Sequence, residues 1–194
     1  MFWKLRLLWY RTDKAALAFA AFFSAIVGAL VFALMSVLEH GDAQAARLSE
    51  QREAEAARLR EEREAEAARL REFHARSLDC LARNVYYEAR GESLIGQYAV
   101  AEVTMNRMAS PFYPKTVCEV VYQRRAFSWT GMWDLEPAAG PAWQRAVRVA
   151  EDVYYQRRPA MMQDVTHFHA NYVEPDWSKE LRQVARIGKH VFYR

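Results

Sequence analysis

The stretch Leu78–Glu92, LDCLARNVYYEARGE, decides how the rest of the chain is read. Leu78, Leu81 and Val85 recur at helical spacing, Asp79 falls where a first helical turn would want an acid, and Gly91 supplies a stop. The apolar stripe continues into a charge, because Leu81, Val85 and Glu88 fall at i, i+4 and i+7. A carboxyl on the core-facing side of a helix is partly desolvated, and desolvation favours its neutral form. A carboxyl kept protonated near neutral pH is what general-acid catalysis at a glycosidic oxygen uses. On spacing alone the stronger reading is a structural ion pair with Arg90 or Arg107, since such pairs perturb acidities too. Glu92 stands one turn further on, and a retaining acid/nucleophile pair would hold two carboxylates about 5–5.5 Å apart. Gly91 between them interrupts the helix, which leaves Glu92 a helper or a structural residue.

Downstream, a second helix is predicted over 94–108 with Ala99, Val100 and Val103 inward and Glu102 off that face, in solvent. A short third helix follows Pro114, with Val117, Val120 and Val121 inward. Residues 124–140 contain Gly131, Pro137 and Gly140 and read as a long functional loop. Pro141 can open a fourth helix, with Trp143, Val147, Ala150 and Tyr154 on one face. Val165–Ala170 and His190–Tyr193 read as strands that can pair. The expected fold class is mainly α with a small antiparallel β element (α+β).

Upstream, the texture is not globular. Ala15 to Leu38 is 24 residues without a charge, and at about 1.5 Å per residue it reaches roughly 36 Å, enough to cross a bilayer core. Lys4, Arg6, Arg11 and Lys14 precede it, and Glu39 and Asp42 follow. The excess of positive charge places residues 1–14 in the cytoplasm and everything after 38 outside it. Trp3, Trp9 and Tyr10 suit the cytoplasmic interface. Ala43-Gln44-Ala45 resembles a signal-peptide cleavage site, but the apolar stretch exceeds the roughly 7–15 residues of a signal h-region, which favours an uncleaved anchor. Residues 41–73 then repeat with period eleven: GDAQAARLSEQ, REAEAARLREE, REAEAARLREF. Eleven residues make three helical turns, so the repeat implies one continuous helix over 39–73, about 50 Å long. Pairs such as Arg58/Glu62 and Glu66/Arg69 support it. Its apolar stripe holds one Leu per repeat (Leu48, Leu59, Leu70). That reads more readily as a solvated, charge-laced stalk than as a hendecad coiled coil making a homodimer. Residues 74–194 remain for one compact domain.

Net charge is +3, and no block has the dense basic face of a nucleic-acid binder, so nucleic acid is not an expected partner. The two cysteines, Cys80 and Cys118, lack any metal-ligand spacing. Outside the cytoplasm they can form a disulfide, and two small buried residues are an equal reading. His167 and His169 share a strand face around Phe168. With no third ligand evident, substrate hydrogen bonding is a better reading than a metal, and a structural role is as good. No metal or cofactor is expected. Phe127, Trp129, Trp133, Tyr172 and Trp177 lie outside the helical stripes, where aromatic faces can stack on sugars; any one alone reads as core.

YYEARGE (86–92), GQYAVAEVTMNRM (96–108), SPFYPKTVCEVVYQ (110–123), FSW (127–129), THFHANYVEPDW (166–177) and IGKHVFYR (187–194) follow one another in order. Over 78–194 the chain resembles the SleB/CwlJ-type cell wall hydrolases, the family of spore cortex-lytic enzymes. The resemblance implies a lysozyme-like catalytic domain that cuts peptidoglycan between N-acetylmuramic acid and N-acetylglucosamine. It implies Glu88 as the acid/base, and lytic transglycosylase chemistry in at least some members. Many relatives carry a Cys on either side of the Phe-Ser-Trp. Here Ala126 and Thr130 stand in those places, so the partner of Cys118 stays open. The resulting expectation is a single-pass inner-membrane protein whose partners are glycan strands and the membrane. Gln97, Asn106, His167, His169 and Tyr172 are the candidates for holding the sugars. The alternatives are attack by water (muramidase-type hydrolysis), an amidase, and a non-catalytic wall-binding scaffold.

Overall fold

The computed structural model describes residues 2–194, and their side chains from Ala16 onward. The expectations for Lys4, Arg6, Trp3, Trp9, Tyr10, Arg11 and Lys14 lie outside the described side chains. The chain divides into two compact units, Met1–Ala65 and Glu66–Arg194.

The first unit consists of helix alone, part of α1 (Phe2–Ala89). Among its described side chains, Leu17, Phe19, Phe22, Phe23 and Phe32 are all at least 68% exposed. One window of this helix is long and apolar enough to cross a membrane, with mean hydropathy 2.5.

The second unit opens with the last turns of α1, which has no break at Leu78. No Gly or Pro stands between residues 42 and 90, and Ala, Glu, Arg and Leu all favour helix. Asp79 is therefore not a first-turn residue. It sits mid-helix and pairs with Arg83 one turn on, at 2.7 Å. After the turn at Arg90–Ser93 come α2 (Leu94–Ala109), α3 (Val117–Val121) and α4 (Gly140–Tyr154). Ser93 caps α2 by accepting from the Gly96 amide, and Thr116 caps α3 by accepting from the Glu119 amide.

Leu81 and Val85 of α1 are fully buried against Ala101, Val117, Val121, Ala146, Val149 and Ala150. Each such side chain contributes about 1.5–3 kcal/mol by leaving water. The predicted face of α4 is rotated from the observed one. Ala146, Val149, Ala150 and Val153 are its buried residues, and Trp143, Val147 and Tyr154 flank them half-buried. A disulfide joins Cys80 of α1 to Cys118 of α3, with Cα atoms 5.3 Å apart. Its 38-residue separation corresponds to about 4 kcal/mol of loop-closure entropy removed from the unfolded chain.

A three-stranded antiparallel sheet of order β1-β3-β2 covers the other side of α2: β1 (His167–Ala170), β2 (Gln183–Ile187) and β3 (His190–Tyr193). Register pairs His167 with Tyr193 and His169 with Val191. Phe192 is fully buried among Ala99, Val100, Val103, Met162 and Val165. The β2–β3 turn is held by Glu92, whose carboxylate accepts from the Lys189 amide (3.2 Å). Gly188 in that turn has φ +56°, which strains any other residue, and a Cβ there would lie 1.7 Å from a Glu92 oxygen and displace that carboxylate.

Glu102 is corrected by the structure. It is 5% exposed rather than solvated. One of its oxygens accepts from the Met161 and Met162 amides, each at 2.7 Å, fixing the segment that leads into β1.

Candidate active site

Three elements bring the site together. The last turn of α1 carries Glu88 just beyond the buried Val85 and beside the buried Ala89. The last turn of α2 carries Arg107, 7% exposed. Its Nε donates to the Thr166 carbonyl at 2.7 Å, and its guanidinium lies over Phe127 (5.1 Å) and Tyr113 (5.6 Å). Strand β1 carries His167 and His169 on one face, with Trp177 packed against both rings at 5.1 and 5.6 Å.

Glu88 is half-buried and takes no part in the ion pairs among the described residues. Burial pushes its carboxyl up from 4.5 to about 7, against the opposing pull of Arg107. The group is thus divided between acid and base near neutrality. Arg107 would stabilise the carboxylate left after a proton is given away. Burial pushes Arg107 down from its ordinary value, while Tyr113 and Glu88 oppose the shift. His167 is also lowered, by burial first and by the charge of Arg107 second, both of which favour the neutral imidazole. Its Nδ1 meets the Thr166 hydroxyl at 2.9 Å. His169 meets the Tyr193 hydroxyl at 2.9 Å through Nε2 and stacks on that ring.

A cleft of about 350 Å³ opens beside this cluster, lined by Arg107, Tyr113, Arg124, Arg125, His167 and Trp177 among others. A second, of about 660 Å³, shares Arg124 and Arg125 with the first and is otherwise lined by residues that include Tyr122, Phe127 and Thr130.

The expected sugar-holding residues separate. His167 lines the cleft, and His169 stands next to it against Trp177. Gln97 is corrected: it is 2% exposed, and its amide donates to the Glu92 carbonyl at 3.1 Å, so it has no surface to offer a ligand. Asn106 spends its amide on the Met162 and Val165 carbonyls, the latter at 2.9 Å, and so anchors the approach to β1. Tyr172 is 81% exposed. The Glu92 carboxylate is taken up by the β2–β3 turn. Of the aromatics, Phe127 and Trp129 belong to the core. Trp129 donates to Asn84 at 3.0 Å, and Asn84 in turn donates to Thr104. Trp133 is 96% exposed and Trp177 half-buried.

Sequence reasoning named Arg107 only as a partner for Glu88 and passed over Tyr113. The signal for Arg107 was there, since Val100, Val103 and Arg107 fall at i, i+3 and i+7, the same test that singled out Glu88.

The sequence profile described as Cell Wall Hydrolase matches residues 91–193. The spore cortex-lytic enzyme of Bacillus subtilis is 31% identical over 120 residues, 62% of this chain and 38% of that protein. That of Halalkalibacterium halodurans is 33% identical over 120 residues, 59% of this chain and 34% of that protein. The chain therefore spans well under half the length of these relatives. Among solved structures, the catalytic domain of the germination-specific lytic transglycosylase SleB from Bacillus anthracis superposes with a TM-score of 0.51 at 28% identity. That likeness covers 61% of this chain and 93% of that one.

Proposed function

Because this chain belongs to the cell wall hydrolase family, we propose that its second unit cleaves the glycan strands of peptidoglycan between N-acetylmuramic acid and N-acetylglucosamine, with Glu88 as the acid. The observation that carries this reading is a half-buried carboxyl raised to about 7 by burial, with no ion-pair partner among the described residues, close to an arginine that lines a cleft. In its protonated form Glu88 donates to the bridging oxygen as the glycosidic bond breaks. Arg107 stabilises the carboxylate that results. That carboxylate then takes the proton from the C6 hydroxyl of the same muramic residue as this oxygen bonds to the anomeric carbon, leaving a 1,6-anhydro end. One carboxyl serves both steps.

Attack by water is the second reading, and it would need a further base. Glu92 is the nearest candidate in sequence, but its engagement with the Lys189 amide favours the one-carboxyl route. The likeness to the catalytic domain of a lytic transglycosylase supports the same choice. The apolar segment 15–38 acts in this proposal as an uncleaved anchor in the inner membrane, and residues 39–73 as a helical stalk. Together they hold the enzyme on the outer side of that membrane.

Purified full-length protein in detergent, incubated with sacculi, tests this. Soluble muropeptides with anhydro ends are expected from the wild type and none from Glu88→Gln. Wild-type rates from Glu88→Gln would remove Glu88 as the acid, and reducing ends would assign the attack to water.

A further inference from the structure

The segment joining α3 to the 3-10 turn at Ser128–Gly131 places two arginines where the mechanism above does not use them. Arg124 and Arg125 are exposed and border both clefts, the one of about 350 Å³ beside Arg107 and the one of about 660 Å³ next to it. Neither joins an ion pair among the described residues, and no acidic residue lines either cleft. Arg125 also sits at φ +65°, a left-handed conformation that costs a non-glycine residue about 1 kcal/mol. The fold holds it there in a turn closed by the Ala126 amide donating to the Gln123 carbonyl at 2.9 Å. Both guanidinium groups are thus open to an anionic ligand in the clefts they border.

We infer that Arg124 and Arg125 form a carboxylate-recognition site that selects glycan strands bearing anionic substituents, an inference that rests on the reading of the neighbouring cleft as a glycan site. The chemistry of the strand supplies the ligand. Each muramic residue carries a lactyl carboxyl, either free or extended by a peptide with carboxylates of its own, and each glucosamine residue carries none. Anionic groups therefore recur once per disaccharide. Guanidinium forks match carboxylates in a planar, two-point geometry that an ammonium does not offer. Both clefts fall within the size range of small-ligand sites.

The test is strand binding by full-length protein in detergent, in a Glu88→Gln background so that strands stay intact. Four soluble probes are compared: peptide-bearing strands and peptide-free strands with free lactyl groups, each with its carboxylates intact or methyl-esterified. The paired substitution Arg124→Gln/Arg125→Asn removes both charges, and Asn tolerates the left-handed backbone. Esterification should weaken binding by about tenfold at low ionic strength, an effect that shrinks with added salt. The paired variant should bind native and esterified strands alike, at the weaker level. A preference kept on peptide-free strands assigns the lactyl carboxylate, and one confined to peptide-bearing strands assigns the peptide. Equal binding of native and esterified strands without the arginine substitutions overturns the inference, as does a paired variant that still discriminates. Carboxylate-dependent binding alongside a wild type that releases nothing from sacculi would uphold the arginine site and overturn the cleavage reading instead.

Discussion

Replacing Glu88 by Gln should stabilise the protein at alkaline pH and leave it unchanged in acid. The folded state holds this carboxyl at about 7, whereas an unfolded chain releases the proton near its ordinary 4.5. Between those values the folded state binds a proton that the unfolded state has lost, so stability falls as pH rises. The slope approaches about 1.4 kcal/mol per pH unit, and the loss totals about 3 kcal/mol by pH 8. Gln titrates nowhere in this window and is close in shape, so the variant escapes that loss. All other titrating groups are shared and cancel in the difference. Urea unfolding of the full chain in detergent, followed by near-ultraviolet circular dichroism with the disulfide intact, measures it. The two proteins should coincide at pH 4 and diverge by about 3 kcal/mol at pH 8, roughly 10 °C in melting temperature for a unit of this size. Parallel stability curves from pH 4 to 8 would show that Glu88 ionises as freely when folded as when unfolded, and the argument from burial would collapse.

Cleavage of sacculi, followed by turbidity, should fall about tenfold per pH unit above pH 7, because only protonated Glu88 donates; a rate still climbing at pH 8 would contradict this. Reducing Cys80–Cys118 should lower stability by about 4 kcal/mol, visible as a lower urea midpoint with reductant; an unchanged midpoint would show that the cross-link constrains nothing. Gly188→Ala should cost about 2–3 kcal/mol, from left-handed strain and the expelled Glu92 carboxylate. In the Glu92→Ala background the same change should cost about 1 kcal/mol, and full additivity in that double-mutant cycle would show that the two do not interact. Glu102→Leu leaves the Met161 amide and the buried Met162 amide without their acceptor and should lose about 3 kcal/mol, with Glu102→Gln recovering part of that loss in the same unfolding experiment.

The helices were legible because their apolar stripes are strong: Ala99, Val100 and Val103, and Val117, Val120 and Val121, are buried as their spacing requires. The strand β2 was not. Its inward positions are the small Ala185 and Ile187, while Val184 on the solvent side is as apolar as they are, so the alternation carries little signal. Glu102 misled for a related reason. It lies on the flank of the α2 stripe, and nothing local reveals that the Met161 and Met162 amides, almost sixty residues away, are brought to it. Glu88 showed itself by interrupting a stripe. Gln97 and Asn106 did not, since side-chain amides that bind backbone carbonyls look, in sequence, like side-chain amides that bind sugars.

The hydrogen bond from Arg107 to the Thr166 carbonyl couples two things that a list of site residues keeps apart. The cation that opposes the burial of Glu88 is moored to the residue preceding β1. A shift of that carbonyl would shift the guanidinium with it, and so change the charge that opposes the burial of Glu88. Strand position and acidity are thus two readings of one equilibrium, and by reciprocity the loss of the proton must pull on the sheet as strongly as the sheet tunes the proton.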